Sequence, residues 1–332
     1  MDTNVHESYA TDLKLSVIGN ECSFVAIRGY FLISMDYPRN MRGYGAAPPQ
    51  ANWPQDARIA VQFVINYEEG AERCILHGDS GSESFLSDIQ GATPIESARY
   101  PGMESLYEYG SRAGFWRLHR IFTEKRVPVT VFGVAQAMER NPEAVAAMKE
   151  ANWEIASQGY RWIDYKTVDE ATERDHFQRA IELHTELTGA RPSGWYLGRC
   201  SERSLKLVKE DGGFTYCSDS YADDLPYWDH THDKALLMIP YTLDANDMRF
   251  VSPQGFSTGD QFFDYLKDSF DTLYTEGSKC PKMMSIGLHG RISGRPGRAS
   301  AVARFMDYVS SKEQVWIARR IDIANHWIQS KL

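Results

Sequence analysis

Short apolar runs and amphipathic segments alternate along the chain from residue 59 to residue 330. The first run, residues 59–65, consists almost entirely of aliphatic, β-branched and aromatic residues, which is typical of a buried strand. Similar runs predict further strands at residues 127–132, 153–156, 194–197, 214–216, 236–239, 282–288 and 315–317.

The segments between these runs carry apolar residues at helical spacing. Phe263, Leu266, Phe270 and Leu273 share one face of a predicted helix that begins near Asp260. Strands that alternate with helices form parallel sheets, and the number of units favours a closed barrel over an open sheet. The sequence therefore predicts an α/β fold, a distorted (β/α) barrel with seven or eight parallel strands.

The first 34 residues differ from the rest of the chain. Their apolar runs, at 24–27 and 30–33, have no helical period and no evident strand partner. We expect residues 1–34 to be a poorly ordered N-terminal extension. Residues 35–332 are predicted to form a single catalytic barrel domain, in which residues 35–57 are a surface arm rich in glycine and proline.

Composition narrows the class of function. The 332 residues are 42% hydrophobic, enough for a large core, and the net charge of -9 argues against a nucleic-acid partner. No apolar stretch has the length of a membrane span, and the polar, acidic N-terminus does not resemble a signal peptide. Five scattered cysteines form no CxxC pair. Free thiols fit a reducing cytosol, so we expect a cytoplasmic protein.

Polar residues stand where the predicted strands end. In parallel barrels these carboxyl ends share one face, which carries the chemistry. Taken singly, each residue has an ordinary structural explanation, such as a surface ion pair for Arg199, a core histidine for His289 or a helix cap for Asp219. Together they predict a site, whose candidate residues are Glu68, Glu69, Gln158, Arg161, Trp162, Arg199, Asp219, Asn246, Asp247 and His289.

The order of these motifs resembles the polysaccharide deacetylase (NodB homology) superfamily. Residues 66–70 (Asn-Tyr-Glu-Glu-Gly) match its Thr-Phe-Asp-Asp-Gly motif in spacing, and residues 157–162 (Ser-Gln-Gly-Tyr-Arg-Trp) match Ser-His-Thr-x-x-His. Residues 288–289 match its late Leu-x-His motif loosely. Within the superfamily, the chain is most similar to the metal-independent allantoinase branch over residues 36–330, which implies a NodB-like barrel.

The sequence departs from the superfamily where a metal would bind. The resemblance places the metal-binding acid at Glu69 and the two histidine ligands at Gln158 and Trp162. A neutral amide and an indole are not zinc ligands, so we expect no metal and no other cofactor. The allantoinase branch keeps a histidine at the position of Gln158, and glutamine cannot carry a proton at neutral pH.

The resemblance implies an allantoinase-like hydrolase that opens the hydantoin ring of allantoin to allantoate. Glu68 and His289 are the predicted catalytic residues, either of which could be the base. Glu69, Gln158 and Trp162 are predicted to contact the substrate. Further predicted contacts are donors to its carbonyls (Arg161, Arg199 and Asn246) and acceptors for its ureido N–H groups (Asp219 and Asp247).

Two alternatives stay open at this stage. One is a metal-dependent N-deacetylase of chitin or peptidoglycan, which Gln158 and Trp162 disfavour. The other is a catalytically degenerate relative, for which Gln158 is the main argument. The resemblance also implies a homo-oligomer, specifically a tetramer.

Overall fold

The computed structural model describes residues 24–27, 30–33, 37, 39–232 and 234–330, and for residues 24–27 and 30–33 it describes only the backbone. β1 (Phe24–Ile27) and β2 (Tyr30–Ile33) pair with each other as an antiparallel hairpin, so each apolar run is the partner of the other. The rest of the predicted 1–34 extension lies outside the described residues, and its dispensability stays a prediction. The chain divides into two compact units, residues 1–47 and residues 48–332.

The second unit contains every candidate site residue. Its first half comprises β3 (Ile59–Tyr67), β4 (Gly81–Ser82), β5 (Ile95–Glu96), α1 (Pro101–Tyr109), a π-helical segment (Gly110–Gly114), α2 (Phe115–Lys125), β6 (Val129–Gly133), α3 (Ala135–Arg140), α4 (Pro142–Glu150) and β7 (Glu154–Ser157). Its second half comprises α5 (Glu170–Thr188), β8 (Gly194–Trp195), α6 (Ser204–Asp211), β9 (Tyr216–Cys217), β10 (Tyr227–Asp229), β11 (Leu236–Met238), α7 (Gly259–Glu276), β12 (Lys282–His289), α8 (Pro296–Ser310), β13 (Val315–Ile317) and α9 (Arg320–Gln329).

Within the described residues of this unit, one sheet of nine strands has the order β10-β11-β9-β8-β7-β6-β3-β12, with β13 also paired to β3. Eight of its strands run parallel, and β10 is antiparallel to β11. The sheet curls into a half-barrel, which confirms the predicted α/β fold with a NodB-like barrel. The expected full closure is not seen in the described strands, because β10 and β12 end the pairing order.

The central strand β3 is buried along its whole length, as its apolar sequence predicts. It pairs with β12 from Ile59 to Asn66 on one side. On its other side, β13 pairs with its first three residues and β6 with Phe63–Tyr67. The two longest strands, β3 and β12, therefore end side by side, which brings their following loops together.

A buried arginine fills the interior of the sheet. Arg320, the first residue of α9, is fully buried and donates hydrogen bonds to Gln62 at 2.8 Å and Ser285 at 2.9 Å. It also donates to Ser218 at 3.0 Å. Burial lowers the pKa of Arg320 from its ordinary value. The inside of the curled sheet is therefore filled by a hydrogen-bonded polar core.

The apolar surface of this unit packs into a large cluster around β3, β6 and β12 and a smaller one around β8 and β9. In the part of the chain that the structure describes, no helix combines the length and the apolar character needed to cross a bilayer.

Candidate active site

The two predicted catalytic residues lie together at the ends of β3 and β12. The register pairs His289 with Asn66, so Glu68 follows its strand close to the histidine. The distance from Nε2 of His289 to Oε1 of Glu68 is 3.7 Å. Both side chains are buried, with 4% and 2% of their surface exposed.

An aspartate fixes the histidine ring. Asp247 opens a 3₁₀ turn (Asp247–Val251), and its Oδ1 lies 2.6 Å from Nδ1 of His289. Its Oδ2 accepts the backbone N–H groups of His289 at 2.8 Å and Ser293 at 3.0 Å. Because an ionised carboxylate only accepts, we assign the proton of the neutral imidazole to Nδ1. Nε2 is then left as the acceptor, on the side that faces Glu68.

Glu68 is held by two donors. Nε2 of Gln158 donates to its Oε1 at 2.7 Å, and a guanidinium N–H of Arg291 donates to its Oε2 at 2.7 Å. Oε1 of Gln158 is buried and has no hydrogen-bond partner among the described residues. An unpaired buried acceptor costs free energy, which a donor from a bound ligand would recover.

Arg291 was not among the residues predicted from the sequence. Its guanidinium also lies 3.3 Å from Oε1 of Glu69, and its backbone N–H donates to the same oxygen at 3.1 Å. Burial lowers the pKa of Arg291, but the carboxylates of Glu68 and Glu69 outweigh this effect and raise it above its ordinary value. Its position two residues after His289, at the end of β12, is the one signal in the sequence, and it does not show that the side chain is buried.

The position of Arg291 depends on a close approach between the backbone of the π-helical segment and the backbone that follows β12. A Cβ on Gly110 would lie 2.2 Å from Oε1 of Glu69 and 2.7 Å from the backbone nitrogen of Arg291. A Cβ on Gly114 would clash with the carbonyl oxygen of Gly290. Only glycine fits at these two positions of the π-helical segment, and such segments often mark functional sites.

The residues at the metal-binding positions of the family do not fit a metal. Oε1 of Glu69 already pairs with the guanidinium of Arg291, and Gln158 offers only a neutral amide, which is not a zinc ligand. Trp162 stacks on Phe85 with ring centroids 6.0 Å apart, and an indole has no lone pair for coordination. Among the described residues, no group of three or more His, Cys, Asp and Glu side chains could hold a metal ion.

The two predicted arginine donors bind the long loop that follows β3. Arg161 donates to Asp79 at 2.5 Å and to the backbone carbonyl of Glu72 at 3.2 Å. Arg199 donates to Glu83 at 2.8 Å and stacks on the ring of Phe85. These contacts hold residues 71–85 over the strand ends.

Asp219 and Asn246 contact mainly backbone. Asp219 accepts the N–H groups of Leu197 at 2.9 Å and Gly198 at 2.8 Å. Oδ1 of Asn246 accepts the N–H of Met248 at 2.9 Å and thereby caps the turn that carries Asp247. Their direct contact with substrate stays a prediction.

Comparison with known proteins matches the sequence and fold of this chain to one family. The family model described as polysaccharide deacetylase matches residues 103–212. A Schizosaccharomyces pombe protein named "Putative polysaccharide deacetylase" is 42% identical over 309 residues, which cover 87% of this chain and 96% of that protein.

Two solved structures are more similar in sequence. A "probable Polysaccharide deacetylase from Pseudomonas aeruginosa PAO1" is 58% identical with a TM-score of 0.87, covering 88% of this chain and 98% of that chain. Puue allantoinase is 56% identical with a TM-score of 0.88, covering 89% of this chain and 99% of that chain. The identity and the near-complete coverage leave one conclusion: this chain belongs to the polysaccharide deacetylase family.

Proposed function

We propose that this protein is an allantoinase-like hydrolase, which opens the hydantoin ring of allantoin to allantoate in purine catabolism. The more general assignment, a hydrolase that acts on carbon–nitrogen bonds, is supported by the family and by both similar structures. The single observation that carries the finer proposal is the pairing of Nε2 of His289 with Glu68 at 3.7 Å, beside metal-binding positions that do not fit a metal.

The pair can move the protons that amide hydrolysis requires. Asp247 fixes the His289 ring, and Nε2 takes a proton from the attacking water while Glu68 orients that water. The water oxygen bonds to the carbonyl carbon, and the ring C–N bond then breaks. The proton held on Nε2 passes to the leaving nitrogen, so the histidine acts first as base and then as acid.

The polar lining suits a ureide. The free Oε1 of Gln158 can accept a substrate N–H, which a compound with several ureido groups supplies. The ring of Phe85, which is 43% exposed and stacks on the buried indole of Trp162, can cover a flat ring. A small, polar and uncharged substrate therefore fits better than a polymer at a buried site.

The experiment is an allantoate-release assay on the full chain, before and after dialysis against a chelator. We expect metal-independent turnover, since no step runs through a metal. Glu68→Gln and His289→Asn should each lower turnover by roughly 10²–10⁴-fold without unfolding the protein, because the first removes the carboxylate that orients the water and the second removes the group that transfers the proton. His230→Asn, at an exposed histidine, is the matched control. Full activity in both site variants would refute the assignment.

Metal-dependent N-deacetylation is the second candidate, and the family match favours it. Acetate release from N-acetylglucosamine oligomers with added Zn²⁺, and no allantoate release, would establish it in place of the first. If neither substrate is hydrolysed and Gln158→His restores allantoin hydrolysis, the protein is a degenerate relative.

We also propose a homo-oligomer, as in the enzymes that the sequence resembles. Light scattering at micromolar concentration should give the mass of a tetramer, and a monomeric mass would contradict this.

A further inference from the structure

Arg291 lies among the residues that occupy the family's metal-binding positions. Its guanidinium is 3.3 Å from the carboxylate of Glu69, and its carbon is 4.6 Å from the ring centroid of Trp162. Through Glu68 it is linked to Gln158, the third of these positions. The guanidinium of Arg291 thus contacts the residues at two of the three metal-binding positions, Glu69 and Trp162. It also shares a hydrogen-bond partner, Glu68, with the residue at the third position.

Neighbouring groups fix the position and orientation of the Arg291 guanidinium. Nε of Arg291 donates to the carbonyl oxygen of Leu86 at 3.1 Å, and the ring centroid of Tyr107 is 5.4 Å from the guanidinium carbon. Only 2% of the residue is exposed. Gly110 leaves the room that its backbone requires against Glu69. An arginine in such a site is oriented by contacts on every side of its planar group.

The local charges require a cation at this point. Glu68 and Glu69 are adjacent and buried, and two buried carboxylates destabilise one another unless a positive charge lies between them. Arg291 is the cation that both carboxylates contact. A divalent ion at the same place would meet a fixed positive charge in a medium of low dielectric constant.

We propose that Arg291 is the resident cation of this site and takes the place of the metal ion that the family otherwise binds there. Its charge holds Glu68 and Glu69 in place, and it excludes a metal even when suitable ligands are present. Three of its five N–H groups are used by Leu86, Glu69 and Glu68. That the remaining donors polarise the scissile carbonyl rests on the proposed function.

Metal binding tests the proposal without any substrate. Gln158→His and Trp162→His together supply the two histidine ligands that the family uses beside Glu69. Three variants carry this pair, with Arg291 unchanged, with Arg291→Met or with Arg291→Lys. Each is titrated with Co²⁺ alone and followed by its visible absorption, after circular dichroism and a thermal melt show that it is folded.

We expect one Co²⁺ per chain only in the Arg291→Met variant. Binding in the other two should be weaker by roughly 100-fold or more, because a buried positive charge repels the ion. Lysine and methionine have similar lengths and differ mainly in charge, so they form the matched pair. Equal binding in all three variants, or no binding in the folded Arg291→Met variant, would overturn the proposal.

The same pair of substitutions at Arg291 in the otherwise unchanged chain gives a second test, which applies even if the triple variants do not fold. Arg291→Lys should keep at least about tenfold more allantoin turnover than Arg291→Met, since it retains the cation. Its thermal midpoint should also be higher. An Arg291→Met protein that equals or exceeds Arg291→Lys in both measurements would contradict the proposed role.

The two proposals fail separately. If the chain does not hydrolyse allantoin but Co²⁺ binds only after Arg291→Met, the proposed function is wrong and the resident cation stands. If allantoin is hydrolysed and Co²⁺ binds equally with Arg291 unchanged, the function stands and the resident cation is wrong.

Discussion

At the scale of single residues, the site depends on which atom carries a proton. Asp247 accepts from three N–H groups of the β12 end, two on the backbone and one on the His289 ring. The carboxylate therefore sets both the tautomer and the angle of the imidazole. A neutral amide at the same position could keep the shape but would also offer a donor.

Asp247→Asn tests this role of the carboxylate. The amide can donate to Nδ1, which would move the ring proton to Nε2 and remove the acceptor that faces Glu68. We expect allantoin turnover to fall by about 10²–10⁴-fold. Steady-state kinetics measure the effect, and Asp260→Asn, at an exposed aspartate, is the control. Unchanged turnover in a folded variant would contradict the assigned tautomer.

Gln158→Glu tests the second contact of Glu68. Glutamate has the size of glutamine but places a like charge 2.7 Å from Oε1 of Glu68 and removes the donor. We expect roughly a 100-fold or greater loss of turnover, whereas Gln158→His should keep or raise it because an imidazole supplies an N–H. Gln329→Glu, near the end of α9, controls for the added charge. If Gln158→His abolishes activity, glutamine is the working residue here.

The sequence predicted the polar strand ends because strand periodicity and adjacent acids are local signals. Glu68 and His289 are brought together by the pairing of β3 with β12, which follows from the order of parallel strands. Arg291 was missed because its partners are more than 200 positions away in sequence. Nothing in the local pattern distinguishes a buried arginine from a solvated one.

At the scale of elements, the π-helical segment between α1 and α2 shapes the site. The pattern around Leu106 and Trp116 predicts helix here, and the structure adds one wide turn with Gly110 and Gly114 at its ends. These two glycines face the loop between β12 and α8, so the backbone of the helical segment contacts the backbone of that loop directly. Helical periodicity cannot show such a contact, because it depends on a neighbour distant in sequence.

Gly110→Ala is expected to disturb Glu69 and Arg291 together. Its backbone has φ of -58°, which alanine adopts freely, so the effect comes from the new Cβ 2.2 Å from Oε1 of Glu69. We expect lower stability by about 1–3 kcal/mol, as for other overpacked cores, and lower turnover. Urea unfolding and kinetics measure both. Gly297→Ala, in α8 with nothing near its Cβ, is the control, and equal behaviour of the two would contradict the close approach.

At the scale of the second unit, the sequence correctly predicted an α/β fold with a mostly parallel sheet. It also predicted that the sheet closes into a barrel, whereas the described strands form a half-barrel. Alternating periods indicate parallel strands, but they do not show whether the last strands meet. β13 pairs only with the first residues of β3, and α9 then places Arg320 inside the curl. The pattern of apolar residues does not predict this buried arginine, because its hydrogen-bond partners are distant in the sequence.

A buried histidine far along the chain from the site links stability to pH. His184 in α5 is 1% exposed, and burial lowers its pKa from 6.5 to about 4. Between pH 6.5 and 4 the unfolded chain therefore binds a proton at this ring that the folded chain does not. Since stability rises with pH wherever the unfolded state binds more protons, it must fall as pH is lowered through this window.

His184→Leu should remove this part of the pH dependence. The shift from 6.5 to about 4 corresponds to about 3 kcal/mol, lost in full only below pH 4. We expect the variant to lose less stability than the natural protein between pH 7 and 4, measured by urea unfolding at fixed ionic strength. His230→Leu, at an exposed ring, should follow the natural protein. A His184→Leu curve parallel to that of the natural protein would show that the ring binds its proton equally in the folded and the unfolded chain, and that its burial does not cause the acid sensitivity.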